Sequence, residues 1–183
     1  MTRWLSLLLV LGLASCASTP PPLATVAREP LGLMPLRNLA GVPLKVPAIY
    51  FGDALGTAEA LEVEKLDLMQ LGRAALLARL RERGYAIDLV EEPGMRVTLH
   101  GAITRFDLDA LKETGRITLG LVVMVVNAAG AEVGQAAVER EFQLMARAPN
   151  EGGALGEARF IEARLKAYVE ALAQEAVDLL DGR

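Results

Sequence analysis

The residues that could do chemistry are few and lie far apart in the chain. Its one cysteine is Cys16 and its one histidine is His100. A nucleophilic thiol needs a base beside it and a folded pocket around it, and neither can be read near Cys16. One cysteine excludes an intrachain disulfide, and one cysteine with one histidine cannot complete a typical zinc site. The sequence therefore predicts no catalytic residue, no metal site and no cofactor.

His100 and the acidic pairs have simpler interpretations than catalysis. His100 falls on the polar face of a predicted strand, where we expect it to be solvated or bonded to a neighbour. Asp107 and Asp109 are spaced like paired carboxylates of an acid–base or metal site, and we interpret them as a solvated strand end. Glu91 and Glu92 belong to the turn signal "EEPG".

A glycine-rich loop before the last predicted helix could cradle a phosphate. The stretch "EGGALGEARF" would offer backbone amides and a helix dipole to an anion. It lacks the Lys-Ser/Thr pair of a P-loop and the full glycine spacing of a dinucleotide site. We interpret it as a plain turn.

Composition excludes other classes of function. The 183 residues include 19 Lys plus Arg against 23 Asp plus Glu, a formal net charge of −4, and no window is a basic run that would bind phosphates. Aromatic residues make up 4% of the chain, too few for the stacking platforms of single-stranded nucleic acid sites. We expect one domain and no nucleic acid partner.

The N-terminus has the plan of a secretory signal. Arg3 precedes an apolar stretch from Leu5 to Leu13, and two small residues separate that stretch from Cys16. The stretch is too short to span a bilayer as a permanent helix. Residues 1–15 are therefore predicted to be a signal peptide that is removed.

The order Leu-Ala-Ser-Cys at residues 13–16 resembles the lipobox of bacterial lipoproteins. The resemblance implies that the Cys16 sulfur carries diacylglycerol, that cleavage precedes it, and that the new amino terminus takes a fatty acyl chain such as palmitate. Two or more chains hold a protein on a membrane stably. A chance cysteine at the end of an ordinary signal is the alternative. Because Ala17 is not aspartate, the resemblance favours the outer membrane, and the inner membrane stays open.

Residues 16–41 are predicted to link the anchor to the domain. Pro20 to Pro22 and small polar residues indicate an extended tether, followed by the irregular segment "LGLMPLRNLAG" that packs on the domain. Residues 42–183 then form a single domain. Its first predicted strand covers residues 42–51 and, with Pro43 and Pro47, lies at or near an edge.

The remaining elements alternate in a recognisable order. Periodicity predicts a helix in "KLDLMQLGRAALLARLRERG" that ends at Gly84, and a second in "RFIEARLKAYVEALAQEAVDLLDG". The strands between them are "YAIDLV", "MRVTLHGAITRFD", "RITLGLVVMVVN" and "VGQAAVEREFQLM". The predicted fold is a two-layer α+β domain with a mostly antiparallel four- to five-stranded sheet and two helices on one face, in the order β-α-β-β-β-β-α. The stripe predicted for the last helix consists of Ile161, Leu165, Tyr168, Leu172, Ala176 and Leu179.

This order is similar to that of the YajG-type family of bacterial envelope lipoproteins. The pieces that carry the resemblance are "LLARLRERGYAI", the strand pair around "RITLGLVVMVVNAAG" and the Glu-Gly-rich loop before the last helix. The resemblance implies a fold, an envelope location and a lipid anchor, and it supplies no enzymatic residue. Partner binding follows only by analogy with related envelope lipoproteins.

The central strand pair predicts an apolar surface. If one side of the strand faces the helices, then Val122, Met124 and Val126 face away, and hairpin register adds Val133 and Ala137 beside them, with Ala102 on the preceding strand. Such a patch is either covered by the segment "LGLMPLRNLAG" or the tether, or it docks another subunit or an identical chain.

These observations leave three functions open. We predict a lipid-anchored, non-catalytic lipoprotein that faces the periplasm and acts as a binding or scaffold module of an envelope complex, with a protein partner or a homo-oligomer. The alternative is a carrier of a lipid or other hydrophobic ligand in a groove between helices and sheet. An enzyme would need a cleft where His100 or the carboxylates converge.

Overall fold

The computed structural model describes residues 23–26, 29–46, 66–107, 114, 116–143 and 153–183. Three helices and eight strands are assigned within these residues. The helices are α1 (Leu23–Val26), α2 (Leu68–Glu82) and α3 (Gly153–Leu180). The strands are β1 (Leu31–Leu33), β2 (Arg37–Asn38), β3 (Lys45–Val46), β4 (Leu66–Asp67), β5 (Ile87–Leu89), β6 (Thr98–Phe106), β7 (Arg116–Val126) and β8 (Glu132–Gln143).

One six-stranded sheet forms the base of the domain. Its order is β5-β1-β6-β7-β8, and β2 continues the line of β1 along β6. β1 is parallel to both β5 and β6, and β2 is parallel to β6, whereas β6, β7 and β8 pair antiparallel. The α+β class is therefore confirmed, with a mixed sheet of six strands in place of four to five mostly antiparallel ones.

The beginning of the sheet differs from the expected one. Residues 45 and 46 of the predicted first strand form β3, which pairs with β4 outside the main sheet, and residues 47–51 lie outside the described residues. The segment "LGLMPLRNLAG", expected to be irregular, supplies β1 and β2 instead. Leu31 and Leu33 are 0% exposed. A three-residue strand buried on both faces has no alternation of apolar and polar residues, so periodicity could not reveal it.

Helix α2 begins and ends as its sequence predicts. The side chain of Asp67 accepts hydrogen bonds from the backbone nitrogens of Met69 and Gln70, at 3.0 and 3.2 Å. After Glu82 the chain turns at Gly84, whose φ of +86° places it in the left-handed region that ends many helices. Its buried face contacts the sheet and α3.

Helix α3 presents a slightly different face from the predicted one. Leu165, Leu172 and Ala176 are buried as expected, but Leu179 is 46% exposed. Tyr168 is half-buried and stacks on Phe142 of β8, with ring centroids 4.2 Å apart. Val169, Ala173, Val177 and Leu180 complete the buried stripe. The helix is therefore rotated by part of a turn relative to the predicted stripe.

A polar cluster joins the C-terminal ends of the two long helices. Asp178 of α3 accepts hydrogen bonds from Arg79, at 3.3 Å, and from Arg83. The hydroxyl of Tyr85 donates to Asp181. Burial and this hydrogen bond raise the pKa of Tyr85 to about 12. The cluster ties α3 to the end of α2 and to the start of β5.

Candidate functional site

The face of the sheet away from the helices carries an apolar patch. Its members are Ala102 of β6, Val122, Met124 and Val126 of β7, and Ala137 of β8, and we call this group the outer patch. Register places Val122 directly between Ala102 and Ala137. On the same strand Leu121, Val123 and Val125 are buried against the helices, whereas Val122, Met124 and Val126 are only half-buried. Alternation along β7 therefore sends one side chain into the core and the next to the outer face.

Val133 has a different position from the one expected. The pairing of β7 with β8 is irregular at this point, because Val125 pairs with Gly134 while Val126 pairs with Glu132. Val133 lies in that irregularity and packs against the buried core. Simple hairpin register thus does not align Val133 with Val126.

Ion pairs border the outer patch at one end. Arg105 of β6 reaches over Gly120 of β7 to Glu139 of β8, with a distance of 2.8 Å between Nη1 and Oε1. Arg116 pairs with Glu141 at 3.1 Å. These charges are therefore matched within the chain, beside an apolar surface that offers no charge of its own.

At the β1 side, the outer face is covered by the chain itself. β5 and β6 lie on either side of β1, so the segment between them must cross over β1. A Cβ at Gly32 would lie 2.9 Å from Cγ2 of Val90 and 3.3 Å from Cδ of Arg96. Residues 90–97 thus cover the β1 part of this face, and β1 and β2 lie within the sheet and not over the patch.

His100 lies next to the outer patch, opposite Met124. Its Nε2 is 2.9 Å from the hydroxyl oxygen of Thr98, which is itself buried. Burial lowers the pKa of His100, and the positive charge of Arg37 lowers it further. A neutral imidazole that shares a hydrogen bond with a threonine matches the expectation of a histidine bonded to a neighbour.

The other candidate residues do not converge on one site. Glu91 pairs with Arg73 of α2 at 3.2 Å, in the turn where it was expected. Asp107 follows β6, while Asp109 and Cys16 lie outside the described residues. Residues 153–160 of the glycine-rich loop belong to α3. Within the described ranges, no group of three or more His, Cys, Asp or Glu side chains is placed to hold a metal ion.

Two residues at the border of the outer patch were not anticipated. Arg37 of β2 pairs with Ala102, which places its charge on the outer face near His100. Leu39, which follows β2, is 63% exposed. Both come from the segment that was expected to be irregular, and only its parallel pairing with β6 brings them here. The only sequence signal for this placement is that the apolar Leu39 follows the charged Arg37 by two positions.

The space between helices and sheet is filled in the described part of the chain. Leu33, Leu76, Leu99, Leu119 and Leu121 are each 2% exposed or less. A cleft of about 480 Å³ lies elsewhere, on the solvent side of α2 and α3, between Ala74, Ala78 and Lys166. Among the described helices, none combines the length and the apolar character needed to cross a membrane.

The fold is shared with solved structures at low sequence identity. A dodecamer of a PelC point variant from Paraburkholderia phytofirmans superposes with a TM-score of 0.52 and 15% identity, covering 91% of this chain and 96% of that one. Another PelC dodecamer from the same organism has a TM-score of 0.50 and 14% identity, covering 85% and 89%. Lipoprotein GNA1162 from Neisseria meningitidis has a TM-score of 0.41 and 11% identity, covering 76% and 98%.

These likenesses establish the fold and nothing more. The third superposition is too distant to carry an argument. No protein-family model matches the chain, and no curated protein matches its sequence. The resemblance to the YajG-type family therefore stays a prediction.

Proposed function

We propose that the chain is a lipid-anchored, non-catalytic lipoprotein of the bacterial envelope, held on the outer membrane and facing the periplasm, where it acts as a scaffold. The observation that carries this proposal is the order of residues at the N-terminus, where a basic residue, an apolar run and Leu-Ala-Ser precede Cys16. The engagement of His100 with Thr98 and of Glu91 with Arg73 supports a non-catalytic role. In the described part of the chain, the leucines between helices and sheet are almost fully buried, which disfavours the alternative of a hydrophobic-ligand carrier.

The anchor is tested by replacing the cysteine that would carry it. Cells expressing the wild type, Cys16→Ala or the control Ser18→Ala are fed an alkyne fatty acid and fractionated. We expect the label and membrane association in the wild type and in Ser18→Ala, and the loss of both in Cys16→Ala. Label or full membrane association that persists in Cys16→Ala would show that the anchor is not there. Separating inner from outer membranes then tests which of the two holds the protein.

We propose further that the scaffold is built from copies of this chain, which meet through the outer patch. PelC, whose fold this chain shares, forms dodecamers. The outer patch offers three half-buried side chains of β7, between buried Ala102 and exposed Ala137, and the ion pairs of Arg105 and Arg116 at its border are formed within the chain. A second copy would cover these side chains without breaking the ion pairs of Arg105 and Arg116.

Charge introduced into the outer patch tests this interface. Val122→Lys and Met124→Glu should keep the fold, measured by circular dichroism, and should abolish self-association in analytical ultracentrifugation. Gln174→Lys and Gln174→Glu, on the exposed face of α3, are the matched controls and should assemble like the wild type. A wild type that is monomeric at every concentration, or patch variants that assemble normally, would refute the interface. Capture of a different protein that depends on the patch would also refute it, since the occupant would then not be a second copy.

A further inference from the structure

The folded domain begins much closer to Cys16 than the sequence indicated. Leu23 in α1 is 1% exposed and belongs to the buried core, and Val26 packs against that core. The chain is therefore held in the fold at Leu23. Six residues, 17 to 22, separate this fixed point from Cys16, and three of them are prolines.

The length of those six residues limits how far the domain can stand from its anchor. At the polyproline rise of about 3.1 Å per residue, the seven steps from Cys16 to Leu23 span roughly 20 Å. Even a fully extended backbone reaches no more than about 25 Å. A domain of this length has a radius of gyration of about 15 Å, so the tether is shorter than the domain is wide. If the chain were free as far as Pro30, its reach would be about 45 Å.

The chain enters the sheet at one end, a few residues after this fixed point. Only residues 27–30 separate Val26 from β1, so α1 lies within about 17 Å of Leu31. The backbone nitrogen of Leu31 donates to the carbonyl of Ala86, and register places Gly32, Thr98 and Val126 side by side. The turn at residues 127–131 is at the same end. We call this the near end, and the end with Phe106 the far end.

We propose that the domain works in direct apposition to the lipid surface that anchors it, with its near end toward the lipid headgroups. This inference rests on the acylation of Cys16 proposed above and adds the geometry that the burial of Leu23 imposes. The formal net charge of −4 gives an anionic headgroup layer no reason to attract the domain, so the short tether and not charge holds it there. A partner of the scaffold must then be met at the membrane surface.

Energy transfer to labelled lipids tests this geometry on the full lipidated chain. The chain has only one cysteine, and acylation removes its thiol, so an introduced cysteine is the single site for a donor dye. Ala129→Cys places the dye at the near end, and Leu39→Cys places it beside Ile103, toward the far end, both at exposed positions. The protein is reconstituted in phosphatidylethanolamine and phosphatidylglycerol vesicles that contain a headgroup-labelled acceptor lipid.

We expect transfer from residue 129 to exceed transfer from residue 39 at least about twofold, because about 20 Å of β-strand separates the two positions along the sheet. Ten Gly-Ser residues inserted after Pro22 should remove most of this difference, since the domain then tumbles freely. The same ten residues added after Arg183 are the matched control and should leave the difference in transfer unchanged.

The outcomes separate this inference from the anchor itself. A chain that fails to float with the vesicles overturns both the anchor and the apposition. Flotation with equal transfer from the two positions, or with a difference that the Gly-Ser insertion does not change, overturns only the apposition.

Discussion

Leu36 packs directly onto the backbone of Gly101. A Cβ at residue 101 would lie 3.0 Å from Cγ of Leu36, and one at Gly72 of α2 would lie 2.7 Å from its Cδ2. Leu36 is 7% exposed, so it fills the gap between helix and sheet at a point where neither offers a side chain. Leu36 thus packs the link between β1 and β2 onto the core, against Gly72 and Gly101.

This contact predicts a coupled effect of two substitutions. Gly101→Ala should lower the free energy of unfolding by about 1–3 kcal/mol through overpacking, although alanine is favoured over glycine in a strand. Leu36→Ala should cost about 2–5 kcal/mol by leaving a cavity. The double variant should lose less than the sum, because the new methyl group occupies part of that cavity. Urea denaturation of the four proteins measures the coupling, and additive losses would contradict the close packing.

The Asp178 cluster predicts a pH-dependent contribution to stability. Burial alone would raise the pKa of Asp178, but the hydrogen bonds from Arg83 and Arg79 outweigh it and hold the pKa below its ordinary value. A depressed carboxyl pKa contributes stability above the unfolded-state pKa, and this contribution is lost as pH falls through the folded-state value. Asp178→Asn should therefore lower the free energy of unfolding by about 1 kcal/mol at pH 7 and by much less near pH 3.

Chemical denaturation at the two pH values measures this difference. Glu92→Gln, in the exposed turn, is the control and should have little effect at either pH. A loss in Asp178→Asn that is as large at pH 3 as at pH 7 would mean that the side chain matters by its shape and not by its charge.

The position of Arg37 beside His100 predicts that removing this arginine changes the pKa of His100, which can be measured directly. Arg37→Gln removes one of the two causes that lower the pKa of His100, so the pKa should rise toward its ordinary value while burial keeps it below that value. The chain has one histidine, so NMR titration of an untagged sample follows a single imidazole. Arg105→Gln, on the same face but paired with Glu139, should change the pKa less. An unchanged pKa in Arg37→Gln would mean that its charge does not reach His100.

The same depressed pKa has a consequence for stability. Because the unfolded chain takes up a proton on its histidine more readily, stability should fall as pH drops below about 6.5, until the pKa of the folded state is passed. His100→Gln should flatten this part of the stability profile. A profile that keeps its slope between pH 6.5 and 5 in the variant would assign the slope to other groups.

Two neighbouring leucines of α3 offer a matched pair. Leu180 is 5% exposed and Leu179 is 46% exposed. Leu180→Ala should lower the free energy of unfolding by about 2–5 kcal/mol, whereas Leu179→Ala should change it by about 0.5 kcal/mol or less. Thermal or urea unfolding of the two variants measures the contrast. A larger loss in Leu179→Ala than in Leu180→Ala would show that the helix presents the predicted stripe instead, and equal losses would contradict the difference in burial.

What the sequence determined by itself was local. The end of α2 at Gly84 and the pairing of Val122 with Ala137 followed from residues within one helix or one hairpin. Helical and strand periodicities and turn residues act over a few positions, so a single chain displays them in its residue order. The outer face of β7 could be predicted for the same reason.

Only the tertiary structure decided what depends on distant residues. β1 lies between β5 and β6, which are more than fifty positions away, and nothing in "LGL" indicates that it enters a sheet. The burial of Leu23 and the place of Arg37 beside His100 likewise depend on residues far away in the chain. Parallel pairing and core burial stabilise the chain only once the whole sheet has assembled. The sequence signal for them is therefore spread over many residues, and no single residue shows it.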